Sequence, residues 1–114
     1  MIKVKRIYEE RDRADGYRVL VDRLWPRGVK KDSGAIDLWM KEIAPGTELR
    51  KWFHANPTQW QRFRQRYERE LKSRGELLDK LRELEEKYGT ITLLYSSRST
   101  DHNHAMLIYE ALSG

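Results

Sequence analysis

The period of the apolar positions changes along the chain, and each change marks an element. Ile2-Lys3-Val4-Lys5-Arg6-Ile7-Tyr8 places apolar side chains at 2 and 4, then slips by one to 7, and reads as a first strand. Glu9 to Gly16 is polar and closes on Asp15-Gly16, a turn signal. Tyr17 to Arg23 holds the triplet Val19-Leu20-Val21, the mark of a strand buried on both faces. The linker 9–16 is shorter than the roughly dozen residues of a helical crossover. The first two strands are therefore expected to be antiparallel neighbours or not adjacent at all. Ile36-Asp37-Leu38-Trp39-Met40 alternates weakly and reads as a short strand, which Pro45-Gly46 breaks.

Helical spacing takes over after Gly46. Thr47 is placed to cap a short helix bearing Leu49, Trp52 and Phe53. Asn56-Pro57-Thr58-Gln59 has the composition of a helix start, with a capping side chain, a first-turn proline and a following Gln. Trp60, Phe63, Tyr67 and Leu71 then form one apolar stripe. Ser73 to Glu76 repeats the capping pattern ahead of Leu77, Leu78, Leu81, Leu84 and Tyr88, and Gly89 ends that helix. Ile91 to Tyr95 is the last apolar run. Ser99 or Thr100 is placed to cap a final helix with Ala105, Leu107, Ile108, Ala111 and Leu112. The pattern predicts a single α/β domain over 1–114, with a small, largely parallel sheet flanked by helices. The strand at 18–22 is expected beside the strand at 91–95, running in the same direction.

Composition adds a charge argument. Hydrophobic residues make up 39% and charged residues 36%, with a net charge of +5. Such charge is either a solvated surface or an attraction for an anionic partner. Residues 59–74 carry Arg62, Arg64, Arg66, Arg69, Lys72 and Arg74 against Glu68 and Glu70, so helix 60–74 is basic. The absence of cysteine removes disulfides, thiolate catalysis and Cys-ligated metals, and suits a reducing cytoplasm. Met1 to Arg6 lacks the apolar core of a signal peptide, and no apolar run approaches the ~18 residues that span a bilayer. The expectation is a cytoplasmic protein with no membrane partner.

Two distant segments carry the candidate chemistry. Asp22, Arg23, Leu24, Trp25, Pro26, Arg27 and Gly28 follow one buried strand. Ser96, Ser97, Arg98, Ser99, Thr100, Asp101, His102, Asn103 and His104 follow the other. Ligands of α/β proteins bind beyond the carboxyl ends of parallel strands, so the two endings nominate one shared site. Asp22 with Arg23 or Arg27 is either an ion pair stapling the loop, with Trp25 as core, or a carboxylate and guanidinium aimed at a ligand. Pro26 restricts its own backbone and that of Trp25, which favours a preorganised loop with Trp25 as a wall. Arg23, Trp25, Arg27, Ser97, Arg98 and Asn103 are the candidate ligand-binding residues. Asp22, His104 and Ser96 are the candidates for moving a proton or attacking as a nucleophile. No Gly-x-Ser-x-Gly elbow surrounds the serines. His104 is expected as a neutral hydrogen-bond partner, because Arg98 and the helix end already supply positive charge. His102 and His104 are two apart and would diverge on a helix, so no metal site and no cofactor is expected.

Asp22 to Gly28, Lys41-Glu42-Ile43-Ala44-Pro45, Glu48 to His54, Leu93 to Ser96, and Asn103-His104-Ala105 together resemble the YeaO-like proteins, a short branch of the domain of unknown function 488 family. The likeness runs over nearly the whole chain. It implies a fold and no defined activity. Longer relatives carry cysteines where this chain has Tyr95 and Asn103, then a His and an Arg where it has His104 and Ala105, so thiol chemistry does not transfer. Two functions are expected from the residues. One is a site for a phosphate-bearing small molecule at the strand ends. The other is a non-catalytic nucleic-acid-binding module using helix 60–74, with Arg62 and Arg66 beside aromatic residues.

Overall fold

A computed structural model describes residues 1–114. Strands β1 (Ile2–Arg6), β2 (Tyr17–Leu20), β3 (Leu38–Trp39) and β4 (Ile91–Tyr95) form one sheet in the order β1-β4-β2-β3. Every pair is parallel. The expected pairing of the two apolar strands is present, with Val19 opposite Leu93 and Leu20 opposite Leu94. β2 stops at Leu20 rather than 22, although the Val21 N–H still donates to the Leu94 carbonyl at 3.0 Å.

Of the two arrangements expected for the first strand, the second holds: β4 lies between β1 and β2. The linker returns the chain to the start of β2 with only a 3-10 turn at Arg13–Asp15. Asp15 pins that return. Its buried carboxylate receives Lys5 and Arg18, and its carbonyl accepts the Thr92 hydroxyl at 2.6 Å. Burial pushes this carboxyl up, but the Asp12 N–H, Lys5 and Arg18 outweigh it and hold it below its ordinary value.

The two faces of the sheet are covered differently. Alternation sends Val19, Leu93 and Tyr95 into an 18-residue core with helices α1 (Thr47–Ala55), α2 (Trp60–Lys72), α3 (Gly75–Tyr88) and α4 (His104–Ser113). Leu20, Leu94 and Ile7 face the other way and are covered by Trp25, Val29, Ala35, Ile36 and Trp39, none of them helical. The helices thus form one layer, and an irregular segment substitutes for the second. No helix is long and apolar enough to cross a membrane.

The apolar stripes land as expected: Trp60, Phe63, Tyr67, Leu71, Leu78 and Leu81 are buried. Tyr88, at the end of its stripe, is exposed and stacks on Tyr17 at 4.2 Å. The predicted caps are corrected. Thr47 is the first helical residue, behind Gly46, whose N–H donates to Glu70. α2 begins at Trp60, because Asn56 closes the preceding helix by donating to the Trp52 carbonyl. Ser73 donates back to Glu70, so α3 starts only at Gly75, without a side-chain cap. α4 is capped by Asn103 and not by Ser99 or Thr100: its Oδ1 accepts the Met106 N–H at 3.0 Å.

Candidate functional site

The carboxyl ends of the parallel strands open into one cleft of about 740 Å³. That volume falls among small-molecule sites, which run to about 300–1,000 Å³. Asp22, Arg23, Trp25 and Arg27 line it from the β2 side, and Ser96, Ser97, Arg98, Asn103 and His104 from the β4 side. Arg27 and Arg98 therefore face the same space.

Asp22 organises the floor. Its Oδ2 accepts the Ser96 N–H at 2.9 Å and the Ser96 hydroxyl at 2.7 Å. His104 Nε2 donates to the Val21 carbonyl at 2.9 Å and lies 3.3 Å from Asp22 Oδ1, so its proton sits on Nε2. The imidazole edge meets Tyr67, whose hydroxyl donates to the Ile43 carbonyl. Burial pushes the Asp22 carboxyl up, but the His104 and Ser96 hydrogen bonds outweigh it and leave it below its ordinary value. The staple expected of Asp22 exists, but it joins the two loops through Ser96 and His104 instead of pairing with an arginine.

Several predicted ligand residues are committed to the fold. Arg23 donates to the Ala44 and Pro45 carbonyls, both at 3.2 Å. Trp25 donates to the Val29 carbonyl and packs edge-on against Trp39, whose own N–H donates to the Asp22 carbonyl at 2.8 Å. Asn103 is spent as the α4 cap and also donates to the Ser99 and Thr100 carbonyls.

Other cleft residues were not singled out from the sequence as site residues: Arg6, Tyr8, Arg50, His54 and His102. Arg6 donates to the Ser97 carbonyl at 2.8 Å and the Ser96 carbonyl at 3.2 Å, and lies over the Tyr8 ring. Tyr8 in turn donates to the Arg27 carbonyl at 2.8 Å. The end of β1 thus laces both loops together. Its place at this edge follows from β1 being parallel to β4, which the short linker had hidden. Arg50 and His54 had a legible signal, the i, i+4 spacing that puts both on one face of α1. All the histidines of the chain line the cleft, yet no three His, Asp or Glu side chains converge closely enough to hold a metal ion.

The molecule is thus a parallel-sheet α/β protein with its polar loops gathered at the carboxyl edge. It belongs to the family described as the inactive DUF488-N3 subclade, which matches residues 1–114. It is 45% identical over 111 residues to uncharacterized protein YeaO of Escherichia coli strain K12, covering 97% of this chain and 96% of the relative. It is 38% identical over 113 residues to uncharacterized protein Rv3073c of Mycobacterium tuberculosis strain H37Rv, covering 99% and 94%. No solved structure matches the chain.

Proposed function

We propose that the cleft binds a small anionic molecule, of the phosphate-bearing class, without transforming it. One observation carries this reading. Five arginines and three histidines line the space against one carboxylate, Asp22, and that carboxylate is already engaged. Arg27, Arg50 and Arg98 are exposed and make no hydrogen bond or ion pair through their guanidiniums. Unengaged guanidiniums are the usual partners of phosphate and carboxylate oxygens. The absence of cysteine fits a cytoplasmic setting for such a ligand.

The geometry argues against turnover. A nucleophilic serine needs its proton accepted by a competent base, and no hydrogen bond joins Ser96 to His104, whose Nε2–H goes to the Val21 carbonyl. Ser96 donates instead to Asp22, whose lowered pKa makes it a weak base. The word "inactive" in the family description agrees. The nucleic-acid reading has less support. The basic helix ends at Lys72; on it Arg64 pairs with Glu110 and Arg66 lies over Trp52, and Arg74, just before α3, is held by Glu70 and the Ala44 carbonyl.

Calorimetric titration with inorganic phosphate, pyrophosphate and a sugar phosphate tests the proposal. Binding is expected, weakened about tenfold or more by the double variant Arg27→Ala/Arg98→Ala, a loss of ~1.4 kcal/mol. Substituting Arg62, Arg69 and Lys72 should leave it unchanged. If only polynucleotide binds, with affinity falling steeply in log salt and lost in the helix variant, the cleft is not the site.

A further inference from the structure

We infer that the ligand is a nucleoside 5′-monophosphate, its base stacked on the outer face of His102 and its phosphate on the cleft arginines. The inference rests on the anion-binding reading above and adds the ligand's other end. The imidazole of His102 lies flat on the Trp60 indole, with centroids 4.8 Å apart and planes at 11°. Trp60 stacks in turn on Phe63 at 5.3 Å, and Phe53 closes against Phe63 at 4.4 Å. All four rings line the cleft, and they form a column whose inner members are tied into the core.

His102 is the outermost member of that column. Trp60 is only 8% exposed, whereas His102 is exposed and stacks on no aromatic ring other than that indole. Its ring nitrogens have no hydrogen-bond partner in the protein, and its backbone N–H donates to Ser99 Oγ at 2.9 Å. A ring held flat by a buried indole, and stacked on no other ring, is a ready platform for a planar heterocycle. A bare sugar phosphate would have little use for it. Around the imidazole the cleft is lined by the Trp60 and Phe63 rings, with Phe53 against both, which offer no hydrogen-bonding groups to a sugar beyond the indole N–H. Arg98, on the same loop as His102, supplies an unengaged guanidinium. Base and phosphate are thereby addressed by one short segment.

The test is a calorimetric comparison of adenosine 5′-monophosphate, ribose 5-phosphate and inorganic phosphate on the full chain. The nucleotide is expected to bind about tenfold or more tighter than ribose 5-phosphate. His102→Ala should erase that advantage while leaving ribose 5-phosphate affinity unchanged. His102→Phe should restore it and His102→Leu should not, since leucine can cover Trp60 but offers no ring on which a base can stack. Equal affinities for nucleotide and ribose 5-phosphate would overturn the stacking inference while leaving the anion site standing. Failure of all three compounds to bind would remove both.

Discussion

Asp22 shows how one buried carboxylate can join two loops at the carboxyl edge of a sheet. Three donors converge on it or beside it, and they come from the loop after β4 and the first turn of α4. Removing the carboxylate strands the Ser96 N–H and hydroxyl, so Asp22→Ala should cost about 1–3 kcal/mol in denaturant unfolding. The sign of its pH dependence follows from the lowered pKa. A carboxyl held lower in the folded state contributes fully above its unfolded value of about 3.9, and loses that contribution as pH falls through the folded value. The wild-type midpoint should therefore fall more steeply below pH 4 than that of Asp22→Ala. Parallel curves would show that Asp22 is not part of the acid response.

At the scale of elements, the caps were the least readable part of the sequence. Ser99, Thr100 and Asn103 all have capping side chains, and only Asn103 does the work for α4, because its amide also ties down the Ser99 and Thr100 carbonyls. Asn103→Ala should cost about 1–2 kcal/mol, the upper part of the range for lost N-caps, and Ser99→Ala clearly less. Equal losses would mean that the loop and not the cap sets the stability. The same ambiguity misplaced the starts of α2 and α3, where Asn56 and Ser73 turn back to serve the preceding helix. Apolar periodicity was far more reliable. The stripe from Trp60 to Leu71 and the triplet Val19-Leu20-Val21 each reached the core, because burial of several side chains outweighs any single hydroxyl.

Across the whole molecule, the strand pairing that builds the cleft was legible from two apolar runs, whereas the contribution of β1 was not. The linker between the first two strands suits a hairpin, whereas in the structure β4 is inserted between them and the return is parallel, with only a 3-10 turn on the way. That insertion hid Arg6 and Tyr8, since their place depends on a strand some ninety residues away, Arg6 lying opposite Tyr95. It also dictates when the protein can fold. β4 follows the other three strands in the chain, so β1 has no partner and β2 only the two-residue β3 until β4 has been made. Sheet formation is therefore expected to wait for β4 and to be slow for a domain of this size, being governed by closure of long loops. A chain truncated after Gly89 should lack the sheet, and amide exchange should find it unprotected even though α2 and α3 are complete. Nascent chains held at that length present bare strand edges, so this interval is when a chaperone would be needed most.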